Sequence, residues 1–211
     1  MASGLPTMIE SEDDSRLVER ARRGDPAAAG DALVRHRARL RRMVDARLDR
    51  RIRGRVDPSD VLQDGFADAV AKLPGYLADP KLPLFLWLRL VVGERLAKIH
   101  RDHLGAQVRD AAREVSLYRG PMPAASSAAL AAHLLGKETS PTQAAVRAER
   151  LLRIQEALNS LEPLDREILS LRHFEELTHA EAARVLEIQE AAAAKRYIRA
   201  LKRLKETLAS L

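Results

Sequence analysis

The 211-residue chain has no cysteine, only 3% aromatic residues and no long apolar run. Without thiols there is no disulfide framework, no thiolate nucleophile, no iron–sulfur cluster and no Cys-ligated zinc. That is consistent with a reducing cytoplasm, where the chain is expected to work. The longest apolar run, LPLFLWLRLVV at 82–92, falls well short of the roughly 20 residues a membrane helix needs, and Arg89 interrupts it. A soluble protein with no membrane partner is expected. The start, MASGLPTMIESEDDS, has neither the basic opening nor the apolar centre of a signal peptide, so 1–14 reads as a frayed tail.

What is present points to helices. Hydrophobic residues make up 46% of the chain and are carried by Ala, Leu and Val. That balance favours helices packed through small side chains over sheets of β-branched and aromatic residues, so the fold expected is all-α. Lys+Arg number 36 against 30 Asp+Glu, a formal charge of +6.

Helix punctuation divides the chain. Asp25-Pro26 and Asp57-Pro58 each set a capping acceptor before a proline suited to the first helical turn. Gly24 is placed to close a first short helix, and Gly54 lies near the expected end of the next, whose apolar stripe runs Leu33, Leu40, Val44, Leu48. Leu62, Phe66, Ala69 and Leu73 carry the period onward, until three prolines and a glycine at 73–83 predict a break before a further helix from Leu84 to Leu104. Residues 15–104 form the expected first domain and 105–139 a linker, its second half poor in amphipathic pattern. A flexible segment of that length has an r.m.s. span of about 30 to 35 Å, enough to let two small domains sit apart. Ser140-Pro141-Thr142-Gln143 then opens a second domain, 140–211, with the signature of a capping box.

Within that domain Thr178-His179-Ala180-Glu181 is another capping box. It starts a short helix that ends near Glu187, before a longer one from about Glu190. Short helix, tight turn and longer helix make a helix-turn-helix. On the last helix Ala193, Tyr197, Leu201, Leu204 and Leu208 recur at helical spacing, while Lys195, Arg196, Arg199, Lys202, Arg203 and Lys205 occupy the remaining surface. A basic helix is by itself an ordinary solvated face; the capped helix before it shifts the reading towards DNA phosphates.

The stretch LEPLDREILSLRHFEELTHAEAARVLEIQEAAAAKRYIRALKRLKETL resembles region four of bacterial RNA polymerase sigma factors. The likeness is to the extracytoplasmic-function (ECF) group, whose members carry only regions two and four. It covers roughly residues 140–208. The resemblance implies a transcription initiation factor whose second helix of the helix-turn-helix reads the minus-thirty-five promoter element through Lys195, Arg196, Arg199, Lys202 and Arg203. Upstream, DPSDVLQDGFADAVAKLPGY resembles the polymerase-binding helix of region two, with Asp60, Gln63, Asp64 and Phe66 on the matching positions. Asp60, Asp64 and Asp68 stand at i, i+4 and i+8, a self-repelling row suited to a basic partner. In the family the partners are the β′ coiled-coil clamp and the β flap of core polymerase, together with promoter DNA. An anti-sigma factor is admitted as a further partner, and the free chain is expected as a monomer. LFLWLRLVVGERLAKIHRDHLG resembles the minus-ten recognition helix, with Trp87 and Leu88 in its apolar core and Arg89, Arg95, Lys98 and Arg101 as its cations. The loop at 73–83 falls where family members hold a flipped promoter base, so Tyr76 or Phe85 are candidates for stacking on it or for the core.

The resemblance implies no catalysis, no cofactor and no resident metal. Two rivals are a stand-alone helix-turn-helix regulator, which has no need of the acidic helix, and a metal-dependent nuclease. The nuclease is disfavoured because carboxylates in a row on one helix lack convergent geometry. His100 and His103, at i and i+3 with no third ligand in view, read as a polar helix end. The densest basic stretch, from Arg35 to Arg55, is left undecided between DNA and polymerase. Glu187 stands where such turns often have Gly, Gln189 where a capping Ser or Thr is common, and Ala191 to Ala194 leave the recognition helix bare at its start, so base-edge readout there is expected to be sparse. Glu94 and Lys98 depart from the Asp and Asn common in the minus-ten helix, so no promoter sequence is transferred.

Overall fold

A computed structural model of the chain describes residues 11–104, 122–136 and 144–210. Among these residues the structure is all-helical: α1 (Glu12–Arg22), α2 (Ala27–Arg47), α3 (Pro58–Ala78), α4 (Leu84–Leu104), α5 (Ser127–Leu134), α6 (Ala144–Asn159), α7 (Pro163–His173), α8 (His179–Leu186) and α9 (Glu190–Ser210). Helices α1 to α4 pack into one lobe and α5 to α9 into a second.

Local signals start the helices where expected. Ser11 accepts from the Asp14 N–H, which brings Glu12 to Asp14 into α1 and out of the expected tail. Asp14 is buried there and meets His36 of α2 at 2.9 Å. Gly24, at φ 81°, makes the left-handed turn after α1, a conformation open to glycine at no steric cost. The Asp25 side chain accepts from the Ala27 N–H at 2.9 Å and Asp57 accepts from Ser59 at 2.6 Å, so both Asp-Pro pairs open helices. Gly54 does not close α2, which has already ended at Arg47. The Ser140 to Gln143 box lies outside the described residues.

The expected break at 73–83 is shorter than its prolines suggested, because α3 continues through Pro74 to Ala78. A proline in a helix removes one N–H and frees the carbonyl four residues back. Here that carbonyl belongs to Val70, which is 52% exposed. The last turn is held by Tyr76, whose hydroxyl donates to the Leu82 carbonyl at 3.0 Å and whose ring stacks on Trp87 at 4.4 Å. At Gly65 a Cβ would lie 3.0 Å from Val92, so glycine lets α3 and α4 cross closely.

The first lobe buries Leu40, Met43, Val44, Val61, Leu62, Phe85, Leu88, Val92 and Leu96. The second buries Leu130, Leu158, Ile168, Leu169, Ala193, Ala200 and Leu204. The segment expected as a linker contains α5, capped by Ser126 and pinned to α2 where the Ser126 N–H donates to the Ala46 carbonyl. Leu130 and Ala131 drive its docking; two buried apolar residues suffice for a helix of eight, though they make no extended pattern in the sequence.

Candidate nucleic-acid and partner interfaces

Helix α3 presents Asp60, Gln63 and Asp64 to solvent, while Phe66 is half-buried against the first core. Its start is braced by α2, since Arg41 donates to the Ser59 hydroxyl at 2.6 Å. The row of carboxylates is not wholly free. Asp68 takes two hydrogen bonds from Arg95, at 2.5 and 2.8 Å, and those bonds hold its carboxyl below the usual range. Asp64 lies 3.9 Å from the same guanidinium. What remains is an acidic patch, Asp60 to Asp64, on a rigid helix.

The four cations expected on α4 separate into three groups. Lys98 and Arg101 are exposed. Arg95 is tied to α3 through Asp68. Arg89 is only 1% exposed and leaves the surface altogether, meeting Glu175 of the second lobe at 2.6 Å. It is therefore withdrawn from any DNA-facing set in this arrangement, because a charge in an apolar run is buried only with a countercharge. Phe85 is 1% exposed beneath the Arg39 guanidinium, which lies 3.5 Å from its ring centroid, and Tyr76 is covered by Trp87. Both aromatics belong to the core, not to an open base pocket. His100 is buried and accepts the Asp49 N–H at 3.3 Å; burial lowers its pKa, in keeping with a neutral acceptor. Among the described residues no three metal-ligating side chains gather.

The helix-turn-helix is built as its sequence signals. Thr178 accepts from the Glu181 N–H at 3.1 Å and the Glu181 carboxylate returns the bond to Thr178 at 2.7 Å. Glu187 takes the left-handed turn at φ 54°, where a non-glycine residue is strained by roughly 1–2 kcal/mol. On α9, Lys195, Ile198, Arg199 and Lys202 share one exposed face, at i, i+3, i+4 and i+7. Arg196 and Arg203 turn the other way, to buried Asp165 of α7, at 2.6 and 3.2 Å. They fasten α9 to α7, which leaves three of the five expected minus-thirty-five cations facing out. Ile198, 65% exposed between Lys195 and Arg199, was not singled out by its sequence.

The feature sequence reasoning missed is an ion cluster between the lobes. Arg47 donates to Glu167 at 2.6 Å and also to Glu175, which Arg89 reaches from α4. All four side chains are at most 3% exposed. Burial opposes ionisation of Glu175, but the fields of Arg47 and Arg89 and their hydrogen bonds prevail and bring its carboxyl down to about 2. Arg39 donates to the Glu175 and Glu176 carbonyls at 3.1 Å, and Arg42 to the Phe174 carbonyl at 2.9 Å. Of the undecided arginine stretch, Arg39, Arg42 and Arg47 thus face the second lobe, and Arg39 and Arg42 cap the negative end of α7.

Residues 151–204 match the family Sigma-70, region 4. No curated protein sequence matches the chain. Among solved structures, CnrH, determined in complex with the cytosolic domain of CnrY, is 24% identical, with 94% of this chain and 99% of that chain covered and a TM-score of 0.54. The sigma factor RpoE of Bartonella quintana, co-crystallised with the anti-sigma factor NepR, is 18% identical over 85% of this chain and 95% of that one, with a TM-score of 0.47. Residues 151–204 thus carry a Sigma-70 region 4 module, and the chain as a whole shares its fold with CnrH. No helix among the described residues is long and apolar enough to cross a membrane.

Proposed function

We propose that the chain binds core RNA polymerase through the α3 face of Asp60, Gln63, Asp64 and Phe66, which docks on the β′ clamp, while the region 4 module engages the β flap and the minus-thirty-five element. Lys195, Arg199 and Lys202 contact the DNA there. Lys98 and Arg101 serve the minus-ten element and assist opening, the polymerase performs all the chemistry, and the work is cytoplasmic. An anti-sigma protein fits the same reading as a regulator, since CnrH, which shares the fold, is solved in complex with a protein partner, the cytosolic domain of CnrY.

The observation that carries the proposal is the exposed acidic patch on α3 in the same chain as a capped region 4 helix-turn-helix with an outward cationic face. A stand-alone regulator gives the acidic patch no task. The test is co-elution of the full chain with sigma-free core polymerase, beside the double variant Asp60→Arg, Gln63→Ala. Co-elution of the wild type and not of the variant is expected. No co-elution, where a known sigma factor binds the same core, would turn the assignment to a regulator acting on DNA alone.

A further inference from the structure

The arginine-rich stretch changes character where α2 ends. Arg39, Arg42 and Arg47 bond to the second lobe, whereas Arg50, Arg51, Arg53 and Arg55 fall in the turn between α2 and α3, and all four are exposed. The turn is firmly built. Ile52, 2% exposed, pegs it into the first core, and the backbone closes around that peg: the Ile52 N–H donates to the Asp49 carbonyl at 3.1 Å and the Arg55 N–H to the Ile52 carbonyl at 2.8 Å. Arg51 forks onto the Asp49 carboxylate at 2.8 and 3.1 Å, and Arg53 donates to the Asp45 and Leu48 carbonyls at the end of α2. The side chains of Arg50 and Arg55 make no ion pair or hydrogen bond to any described residue.

The turn lies against the C-terminal end of α4. His100 accepts the Asp49 N–H, so Arg50 and Arg101, each one residue beyond that bond, stand on neighbouring backbone. Lys98 adds a further exposed cation at i and i+3 with Arg101. At 1.5 Å per residue this end of α4 is about 20 Å from Trp87. The sign of the charge selects the partner. Asp60 begins the acidic patch of α3 only five residues after Arg55, so a basic surface drawn to α3 is repelled by the turn, which calls for a separate, anionic partner. The chemistry narrows it further. Residues 48–57 contain no aromatic side chain, so the turn offers no platform for an unstacked base, while guanidinium groups match phosphate oxygens. Cations spread over a turn and a helix end suit a line of phosphates better than a single small anion.

We propose that the turn Arg50–Arg55, continuous with Lys98 and Arg101 of α4, is a clamp on the phosphate backbone of duplex DNA beside the minus-ten element, gripping it without reading its sequence. The proposal rests on the sigma-factor reading above and adds a DNA contact outside both recognition helices.

Arg50→Ala with Arg55→Ala removes two cations that support no other described group, so the fold should be retained. Binding of the full chain to a fluorescein-labelled, mixed-sequence duplex of about 40 base pairs is followed by anisotropy across a salt series. The slope of log affinity against log salt should fall by about two units in this variant, close to 0.9 for each phosphate released. Arg50→Lys with Arg55→Lys should keep the wild-type slope, because counterion release depends on charge and not on the guanidinium fork. An unchanged slope in the alanine variant, an equal loss in the lysine variant, or no binding by the wild type at low salt would overturn the clamp. The absence of cysteine allows a second measurement. Gly54 is exposed and a Cβ placed there meets nothing within 4 Å, so Gly54→Cys accepts a short photo-crosslinker. With core polymerase and the duplex both present, the adduct should form on DNA; an adduct confined to polymerase would overturn the proposal and make the turn a polymerase contact. If the chain does not co-elute with polymerase, yet the alanine variant loses its two units, the clamp stands and the polymerase assignment fails.

Discussion

Helices α2 and α9 are both dense in arginine or lysine, and their side chains have opposite destinations. On α2, Arg39, Arg42 and Arg47 reach carbonyls and carboxylates of the second lobe, and Arg35 reaches Asp13 and Asp14 of α1. On α9, Lys195, Arg199 and Lys202 face solvent, and only Arg196 and Arg203 turn inward, to Asp165. The contrast teaches that cation density along a helix does not choose its partner. What decides is whether folding brings an acceptor to that face. Where Glu167 and Glu175 arrive, arginine becomes a structural fastener; where none arrives, it remains available for phosphate.

The contrast breaks most sharply at Glu175. Glu175→Ala leaves Arg47 and Arg89 without their shared countercharge, and a loss of about 3–5 kcal/mol is expected in urea unfolding. The same group sets a pH dependence. Its folded pKa is depressed, from the usual 4.5 to about 2, so its contribution is complete above about 4.5 and is lost as pH falls towards 2. Unfolding midpoints measured across that window should drop in the wild type, and more gently in Glu175→Gln. If the two curves run parallel, the cluster does not have the role assigned to it.

On α9, Asp165→Ala should cost less, about 1–3 kcal/mol, because Arg196 and Arg203 remain partly exposed and can rehydrate. Thr178→Ala removes one half of the capping box and should cost about 1 kcal/mol of thermal stability without altering the acidic α3 face. The smallest expected effect separates the two kinds of cation on one helix. Lys195→Ala or Arg199→Ala should lower the salt slope of DNA binding by about one unit each, whereas Arg196→Ala should leave the slope near its wild-type value. An equal change at all three positions would erase the inward and outward division.

Much of this molecule is legible in its sequence. The Asp-Pro starts, the Thr178 to Glu181 box and the glycine after α1 act within a few residues, and each appears where its chemistry requires. Pro74 misled, because the penalty for an interior proline is local while its remedy, Tyr76 held by Leu82 and Trp87, comes from the next helix. Two residues carry a signal for the ion cluster. Arg89 interrupts the most apolar run of the chain, and Arg47 continues the helical spacing of buried Leu40 and Val44. A charge on an apolar face requires a countercharge, but neither position indicates which one, and Glu175, between Phe174 and Glu176, has no local mark.

By itself the sequence determined the all-helical class, the helix-turn-helix and the acidic face of α3, since these follow from periodicity and capping over a single turn or a few turns. Only the tertiary structure decided which arginines face water and which are fastened inside. The bonds concerned join residues from 31 to 142 positions apart, and pairing at that distance depends on how whole helices pack.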